Sequence, residues 1–466
     1  MPESLGKRLN PRALSFWDLT LYAVAMTLSV RWIATAAAAG PAALPLWSAA
    51  MLGFMAPLVI ATAELTTRFP GDGGVYVWTR DVLGPFSGFI CGWLYWTCNL
   101  PFFSSVLYFI VNLIGLAGGS LTAPILASPM LFAAIALVIA IAVAGLSLLG
   151  LGAGKWVSNF GGFAACAIAL LMVVGGGVLA WRHGPATDFL HADYRPPLTA
   201  DGAVLWATMV FAFGGPEAMA FLKDDVKGGT RQILKVLATV GVLLVFAYSL
   251  ATAGMLSILT PGEISHLSGL PDAIKACLER LGLPYLTPVA LGVTALALLG
   301  GYMSWFGVAA RLPFVVGVDA HLPKVFSIRD AKTGAPTASI LLQTVVLAAL
   351  LILSLAGESL KAAYDFLVSM TVLSYTLPFA YLFIVYWKVQ TETLPASGWD
   401  PPGGPATARK IALVGLVVTI SAIVCTLVPS GDAKDKLAET LKLVLSSGIL
   451  ILIGAGAYAL SHFRKS

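Results

Sequence analysis

The sequence predicts an all-α integral membrane protein of about twelve membrane-crossing helices. Three observations predict it. Of 466 residues, 58% are hydrophobic. Only 11% are Asp, Glu, Lys or Arg, less than half the roughly 25% of a typical soluble domain. The apolar residues come in long continuous runs rather than in alternation, which excludes a β-barrel. Twelve helices of roughly 21 residues would use about 250 positions, which matches the apolar surplus. A charged skin for a soluble globule of this size is missing, so a soluble enzyme, a disordered protein and a nucleic-acid binder are excluded. The net charge of +5 is small for 48.7 kDa and reads as positional bias across a bilayer, not as attraction to an acidic partner.

The apolar segments fall near 16–38, 43–65, 84–116, 128–149, 155–181, 203–223, 233–258, 285–312, 337–356, 363–388, 409–429 and 440–462. Each is long enough to cross roughly 30 Å of hydrocarbon at about 1.5 Å per residue. The third is longer than crossing requires and is expected to tilt. The N-terminus, MPESLGKRLNPRALS, carries no short apolar run with a small-residue cleavage site, so the first segment is expected to remain as a span.

Orientation follows from the loops. With the N-terminus in the cytoplasm, 19 of the 28 Lys and Arg residues fall inside and eight outside, while Arg31 lies within a span. Both termini are therefore expected in the cytoplasm, in a multi-pass protein of the cell membrane. The connecting loops have character of their own. Residues 66–82 carry GDGG and then an amphipathic VYVWTRDVL. Residues 313–335 carry PFVVGVDAHLPKVF, and 261–282 read as a helix lying on the outer surface, either capping a cavity or serving as a connector.

Catalytic and metal-binding patterns are nearly absent. Cys91, Cys98, Cys166, Cys277 and Cys425 form no CxxC pair and read as small packing residues. There is no HExxH, P-loop or GxSxG. His183, His191, His266, His321 and His462 all fall in loops or at the C-terminus. No enzyme, cofactor or metal is expected.

The informative residues are ionisable ones within spans: Arg31, Glu64 and Glu217, with Asp365 near the start of the tenth. Glu64 is close enough to a span end to reach the interface. Arg31 lies about 22 Å into the first span at the rise of an α-helix. A charge there is expensive unless it faces a wet cavity or a counter-ion. Glu217 follows Gly214-Gly215-Pro216 in FAFGGPEAM, residues 211–219. That triplet interrupts a helix through excess freedom and a missing backbone donor. Broken backbone is tolerated in a membrane only where it is buried in protein or lines a cavity. Transporters built from two inverted five-helix repeats break corresponding helices and bind substrate at the breaks. The first span, five before the sixth, meets this test only weakly, because LSVRWIATAA contains no Gly or Pro.

Several segments carry a family resemblance. ELTTRFPGDGGVYVW at 64–78 and GPFSGFICGWLYW at 84–96 look like the end of helix 2 and helix 3 of the amino acid–polyamine–organocation transporters. FAFGGPE at 211–217 resembles that family's helix 6 motif, and KDDVKGGTRQI at 223–233 the segment after it. RLPFVVGVDAHLPKVF at 311–326, with Pro336 beyond, is similar to the end of helix 8 and its loop. Arg31, followed by a small-residue run and Gly40, is similar to the glutamate/GABA antiporter branch.

The resemblance implies a leucine-transporter-type 5+5 inverted repeat plus two C-terminal helices. The divisions are then an N-terminal cytoplasmic segment, 1–15, a core at 16–388 with repeats of about 16–181 and 203–388, and helices 11–12 with a short tail at 389–466. It also implies transport of amino acids or related amines across the cell membrane by proton symport or exchange, with alternating access around broken helices 1 and 6. The alternatives are a polyamine or organic-amine transporter of the same fold, or a non-transporting amino-acid sensor.

The implied substrate contacts are Ser29, Val30, Arg31, Trp32, Phe211, Phe213, Gly214, Gly215 and Glu217, with Glu217 the proton-coupling group. Ser29, Val30 and Arg31 replace the Gly-Ser-Gly of many relatives. Lys155 is at the end of the fifth span, not in its middle where some proton-coupled relatives place a Lys. Thr27 and Ser304 are isolated hydroxyls, which more often bond their own backbone than a sodium ion. Trp32, Phe211, Phe213 and Trp305 suit either a cavity wall or ordinary packing. Arg31 and Glu217 are expected within ion-pair or water-bridged reach. Partners are an amino acid or amine, protons and the lipid bilayer, with no nucleic acid; monomer and homodimer stay open.

Overall fold

The computed structural model describes residues 14–69, 73–265, 268–319, 321–354, 360–391, 399, 401, 403–429 and 436–463. Residues 1–13, His266 and the Gly71-Asp72 part of the GDGG motif lie outside these, as does the side chain of Asp365.

The described chain is helical throughout. Its one extended feature is an isolated parallel bridge between Leu14 and Val226, in which the Lys227 amide donates to the Leu14 carbonyl at 3.0 Å. Among the described residues ten helices are long and apolar enough to cross a bilayer. The bent pair Phe16–Thr27 and Arg31–Ala37 makes an eleventh span. The shorter apolar helix Thr337–Ile352 occupies the place of the expected ninth. The protein is thus a multi-pass, all-α membrane protein.

The first span starts where local chemistry says it should. Ser15 caps it: its Oγ accepts from the Asp18 amide at 3.2 Å, and Asp18 Oδ2 accepts from the Ser15 amide at 3.1 Å. Asp18 also receives Asn159 Nδ2 at 2.8 Å and Lys155 Nζ at 3.5 Å, which ties this end of the first span to the fifth, Leu151–His183. The second span, Gly40–Arg68, contains a π-helical turn at Met51–Met55. The third, Pro85–Ala117, is interrupted by a turn at Cys98, so its extra length is taken up by a joint between two helices.

Small residues set the close helix pairs, as they must where lipid is no less apolar than the side chains. A β-carbon on Gly161 of the fifth span would meet the Gly300 Cα of the eighth, Pro284–Val316. One on Gly176 would meet the Gly254 carbonyl of the seventh, Arg231–Ile258. These contacts frame the first span, which is buried along most of its length.

The loop helices also form. Gly74–Leu83 follows the GDGG motif, and its Arg80 pairs with Asp319 at 2.5 Å, beyond the end of the eighth span. Gly269–Arg280 buries Leu270, Ile274 and Cys277 on one face, and Arg280 Nη1 donates to the Ile258 carbonyl at 2.6 Å.

Candidate functional site

The sixth span breaks where Gly-Gly-Pro predicts. Its first helix, Ala200–Ala212, is capped by Thr199 and stops at Phe213. Gly215 takes φ of 126°, which only glycine adopts readily. From Pro216 the chain winds on as a narrower 3₁₀ helix, Pro216–Asp225. Glu217 folds back so that Oε2 accepts from the Gly215 amide at 2.9 Å. Its other oxygen accepts Tyr95 Oη at 2.7 Å, from the third span, and Tyr375 Oη at 2.5 Å, from the tenth, Leu367–Val389. Glu217 is fully buried, and the three donors together satisfy a group that would be costly alone.

The first span breaks too, without Gly or Pro. Phe16–Thr27 ends, Leu28 leaves helical geometry, and after Ser29 and Val30 the helix resumes as Arg31–Ala37 at 42° to the first part. Distant side chains take up the exposed backbone. Trp305 Nε1 donates to the Met26 carbonyl at 2.8 Å. Tyr248 Oη donates to the Thr27 carbonyl at 2.7 Å and accepts from the Ser29 amide at 3.1 Å.

Between the breaks lies a narrow cavity. Thr27, Ser29 and Trp32 of the first span line it, opposite Phe211, Ala212 and Gly214 of the sixth. Cys98, Asn99 and Phe102 of the third span, Trp305 of the eighth, and Thr371 and Tyr375 of the tenth complete the wall. Its rings form one edge-to-face cluster: Trp32 meets Phe211 at 5.5 Å, Phe211 meets Tyr375 at 5.1 Å, and Tyr375 meets Trp305 at 5.7 Å. Among the described residues, the Val30 amide and the Phe213 and Gly214 carbonyls have no protein partner. Of these three residues Gly214 lines the cavity, while Val30 and Phe213 lie behind its wall.

The predicted residues divide between this wall and its supports. Ser29, Trp32, Phe211, Gly214 and Trp305 line the cavity. Val30 is buried behind it, Phe213 turns away to pack on Trp47 and Tyr248, and Gly215 packs on Thr27. Arg31 is buried beside the wall: Nη1 donates to Ser105 Oγ at 3.0 Å, and its guanidinium lies 4.2 Å from the Trp32 ring and 5.2 Å from that of Phe102. The expected Arg31–Glu217 ion pair is not formed; Glu217 is held by Tyr95, Tyr375 and the Gly215 amide instead. Tyr95, which holds Glu217, and Ser105, which holds Arg31, lie on opposite sides of the Cys98 turn in the third span.

Thr27 Oγ1 donates to the Ala23 carbonyl at 2.7 Å and Ser304 Oγ to the Gly300 carbonyl at 2.9 Å, each within its own helix. Glu64 pairs with Arg68 at 2.6 Å near the end of the second span. Among the described residues no three His, Cys, Asp or Glu side chains are placed to hold a metal. Sequence reasoning missed Tyr95, Asn99, Phe102, Ser105, Tyr248 and Tyr375. Their types are common in membrane cores, and only the fold brings them to the breaks.

Two interrupted spans opening on a shared, narrow cavity within a multi-helix bundle define a membrane transporter. The chain belongs to the amino acid permease family, whose model matches residues 14–453. It is 25% identical to an uncharacterized transporter of Legionella pneumophila, over 95% of this chain and 96% of that one. It is 21% identical to the probable agmatine/putrescine antiporter AguD of Lactococcus lactis, over 94% of this chain and 93% of the relative. A 58-residue stretch, 11% of this chain and 12% of the relative, is 41% identical to a probable polyamine transporter of Arabidopsis thaliana.

Proposed function

We propose that the protein is a secondary transporter of α-amino acids in the cell membrane, working by exchange or proton symport, with both termini cytoplasmic. The carrying observation is that both breaks meet at one cavity, lined by Ser29 of the first and Gly214 of the sixth. The Gly214 carbonyl, without a protein partner among the described residues, suits an ammonium. The Val30 amide, next to Ser29 and also without a partner among them, is a donor of the kind a carboxylate needs. An α-amino acid carries both charges on one carbon and fits this polarity, and the cation of Arg31 behind Trp32 adds attraction for a carboxylate. The aromatic wall would hold an apolar or flat side chain.

Glu217 is the proton-responsive group in this reading. It links the sixth span to the third and tenth, so a change in its charge would alter how these segments hold together as the cavity opens to one side and then the other.

A second reading, a diamine exchanger, has two supports. One relative is named a probable agmatine/putrescine antiporter. Aromatic faces also attract organic cations. Arg31 weighs against it, because its charge lies against the same wall a dication would use.

Proteoliposomes test both. Counterflow of labelled amino acids is expected, with agmatine and putrescine failing to exchange. Exchange of the diamines alone establishes the second reading, and a protein that neither binds nor moves any amino acid overturns the first.

A further inference from the structure

Helix 1 presents a physical problem that its own sequence does not solve. Leu28-Ser29-Val30 contains no residue that forbids a continuous helix, and the backbone on either side stays at negative φ: −84° at Leu28 and −57° at Val30. An uninterrupted helix would satisfy every backbone group internally, which a membrane interior strongly favours. Something outside the segment must stabilise the break.

We propose that Tyr248, on the seventh span, is a positioning residue of the transport site: its hydroxyl holds the glycine-free break of helix 1 open and registers it against the break of helix 6. This rests on the reading of the cavity as a substrate site. The hydroxyl has one proton to give and lone pairs to accept. It gives the proton to the Thr27 carbonyl at 2.7 Å and accepts from the Ser29 amide at 3.1 Å, the two groups on either side of Leu28. A continuous helix would bind these groups to residues four places away. The Ser29 amide also reaches the Thr27 carbonyl directly at 3.1 Å, so the phenol gives a second partner to two groups that the break takes out of the helical pattern. The same oxygen lies 3.5 Å from the carbonyl of Ala212, the last helical residue before Gly214-Gly215. Both broken ends are thus measured from one atom.

That atom is held in place. The Tyr248 ring stacks on Trp47 at 4.5 Å and 7°, with Phe213 edge-on at 5.6 Å. Trp47 Nε1 donates to Thr252 Oγ1 at 3.1 Å, one turn along the same helix as Tyr248. Tyr248 is fully buried, so in this state bulk water has no route to replace the hydroxyl. Thr27, Ser29 and Ala212 all line the cavity, so displacing the tie would move the binding wall itself.

The test compares wild type, Tyr248→Phe and Thr252→Val in proteoliposome transport and in amide hydrogen exchange of residues 28–31 without substrate. Tyr248→Phe keeps the ring and removes only the tie; Thr252→Val loosens Trp47 without touching the break. Tyr248→Phe is expected to speed exchange at Ser29 by about tenfold or more, and to raise KM by about tenfold while the maximal rate falls less, the size expected when a buried partner is lost. Thr252→Val, which keeps the Tyr248 hydroxyl and only loosens its support, is expected to change both by clearly less than Tyr248→Phe does. Unchanged exchange in Tyr248→Phe, a loss of rate with unchanged KM, or equal effects of the two variants would overturn the proposal. If exchange responds as expected while wild type moves no amino acid, the tie stands and the transport reading fails. If Tyr248→Phe does not fold, wild-type exchange decides: a Ser29 amide no slower than that of Val30, which has no partner, overturns the proposal.

Discussion

Gly215 and Thr27 mark the point where the two broken spans touch: a β-carbon on Gly215 would stand 2.5 Å from Thr27 Cγ2. Gly215 also takes a φ of 126°, so a side chain there meets both a steric and a conformational obstacle. Gly214 is constrained from the opposite side, since its β-carbon would meet Tyr375 Cε1, on the ring that holds Glu217. Gly215→Ala is expected to lower stability by about 1–3 kcal/mol, the range for backbone strain at such positions, and to abolish substrate binding. Thermal melts with and without an amino acid give both readouts, since a ligand that binds only the folded state raises its melting point. A Gly215→Ala protein that melts and binds like wild type would show that this contact does not set the site.

Glu217→Gln tests the buried carboxylate. The wild-type group accepts three hydrogen bonds on two oxygens. A glutamine has one oxygen and a donor in place of the other. If its oxygen keeps the Gly215 amide, its amide nitrogen faces the two tyrosines, which can turn their hydroxyls to accept. The fold is therefore expected to survive with a loss of about 1–3 kcal/mol, while flux becomes independent of pH. Flux that keeps the wild-type pH profile would remove Glu217 from proton coupling.

The two breaks differ in how far the sequence reveals them, and the reason is physical. The sixth is local: Gly214-Gly215-Pro216 supplies both the conformational freedom and the missing donor, so three letters predict it. The first is not local. Its stabilising partners, Tyr248 and Trp305, lie 219 and 279 residues away from the groups they bind, and no window of sequence contains them. The same distinction explains the failed ion pair. Arg31 and Glu217 both sit beside a break, but they are held by different halves of the third span, Ser105 on one side of the Cys98 turn and Tyr95 on the other. The helices themselves were legible because apolar length is a property of each segment alone.

Arg31 is expected to act through shape as well as charge. Its planar guanidinium stacks against Trp32 and donates to Ser105 Oγ, an arrangement a lysine cannot copy. Arg31→Lys is therefore expected to raise the KM for amino acids about tenfold while retaining the positive charge. Ser105→Ala, which frees the guanidinium without changing charge, is expected to cost about 1–2 kcal/mol and to shift KM in the same direction. Transport kinetics of the two variants check this. A normal KM in Arg31→Lys would mean that charge alone suffices, and a normal KM in both would confine Arg31 to packing.

The last prediction ranks two contacts at the start of the first span. Asp18 joins its capping box to the fifth span through Asn159 and Lys155. The Lys155 contact is the weaker by geometry: it is 3.5 Å long, with side chains 20% and 19% exposed, so screening leaves it worth at most about 1 kcal/mol. The capping and Asn159 bonds are shorter and use both carboxylate oxygens. Asn at position 18 can keep the cap with its one oxygen while its nitrogen donates to Asn159, whose amide can turn to present its unpaired oxygen. Asp18→Asn is thus expected to cost about 1–2 kcal/mol, from loss of the carboxylate charge at the helix start and of charge-assisted bonds. Lys155→Gln removes the screened attraction and the cation–π contact with Trp156 at 5.5 Å, and is expected to cost less than about 1 kcal/mol. Thermal denaturation of the two variants under identical detergent and salt provides the comparison, and raising the salt should shrink any Lys155 effect further. Should Lys155→Gln prove the more damaging, the charge pair and not the cap would be what anchors the first span to the fifth.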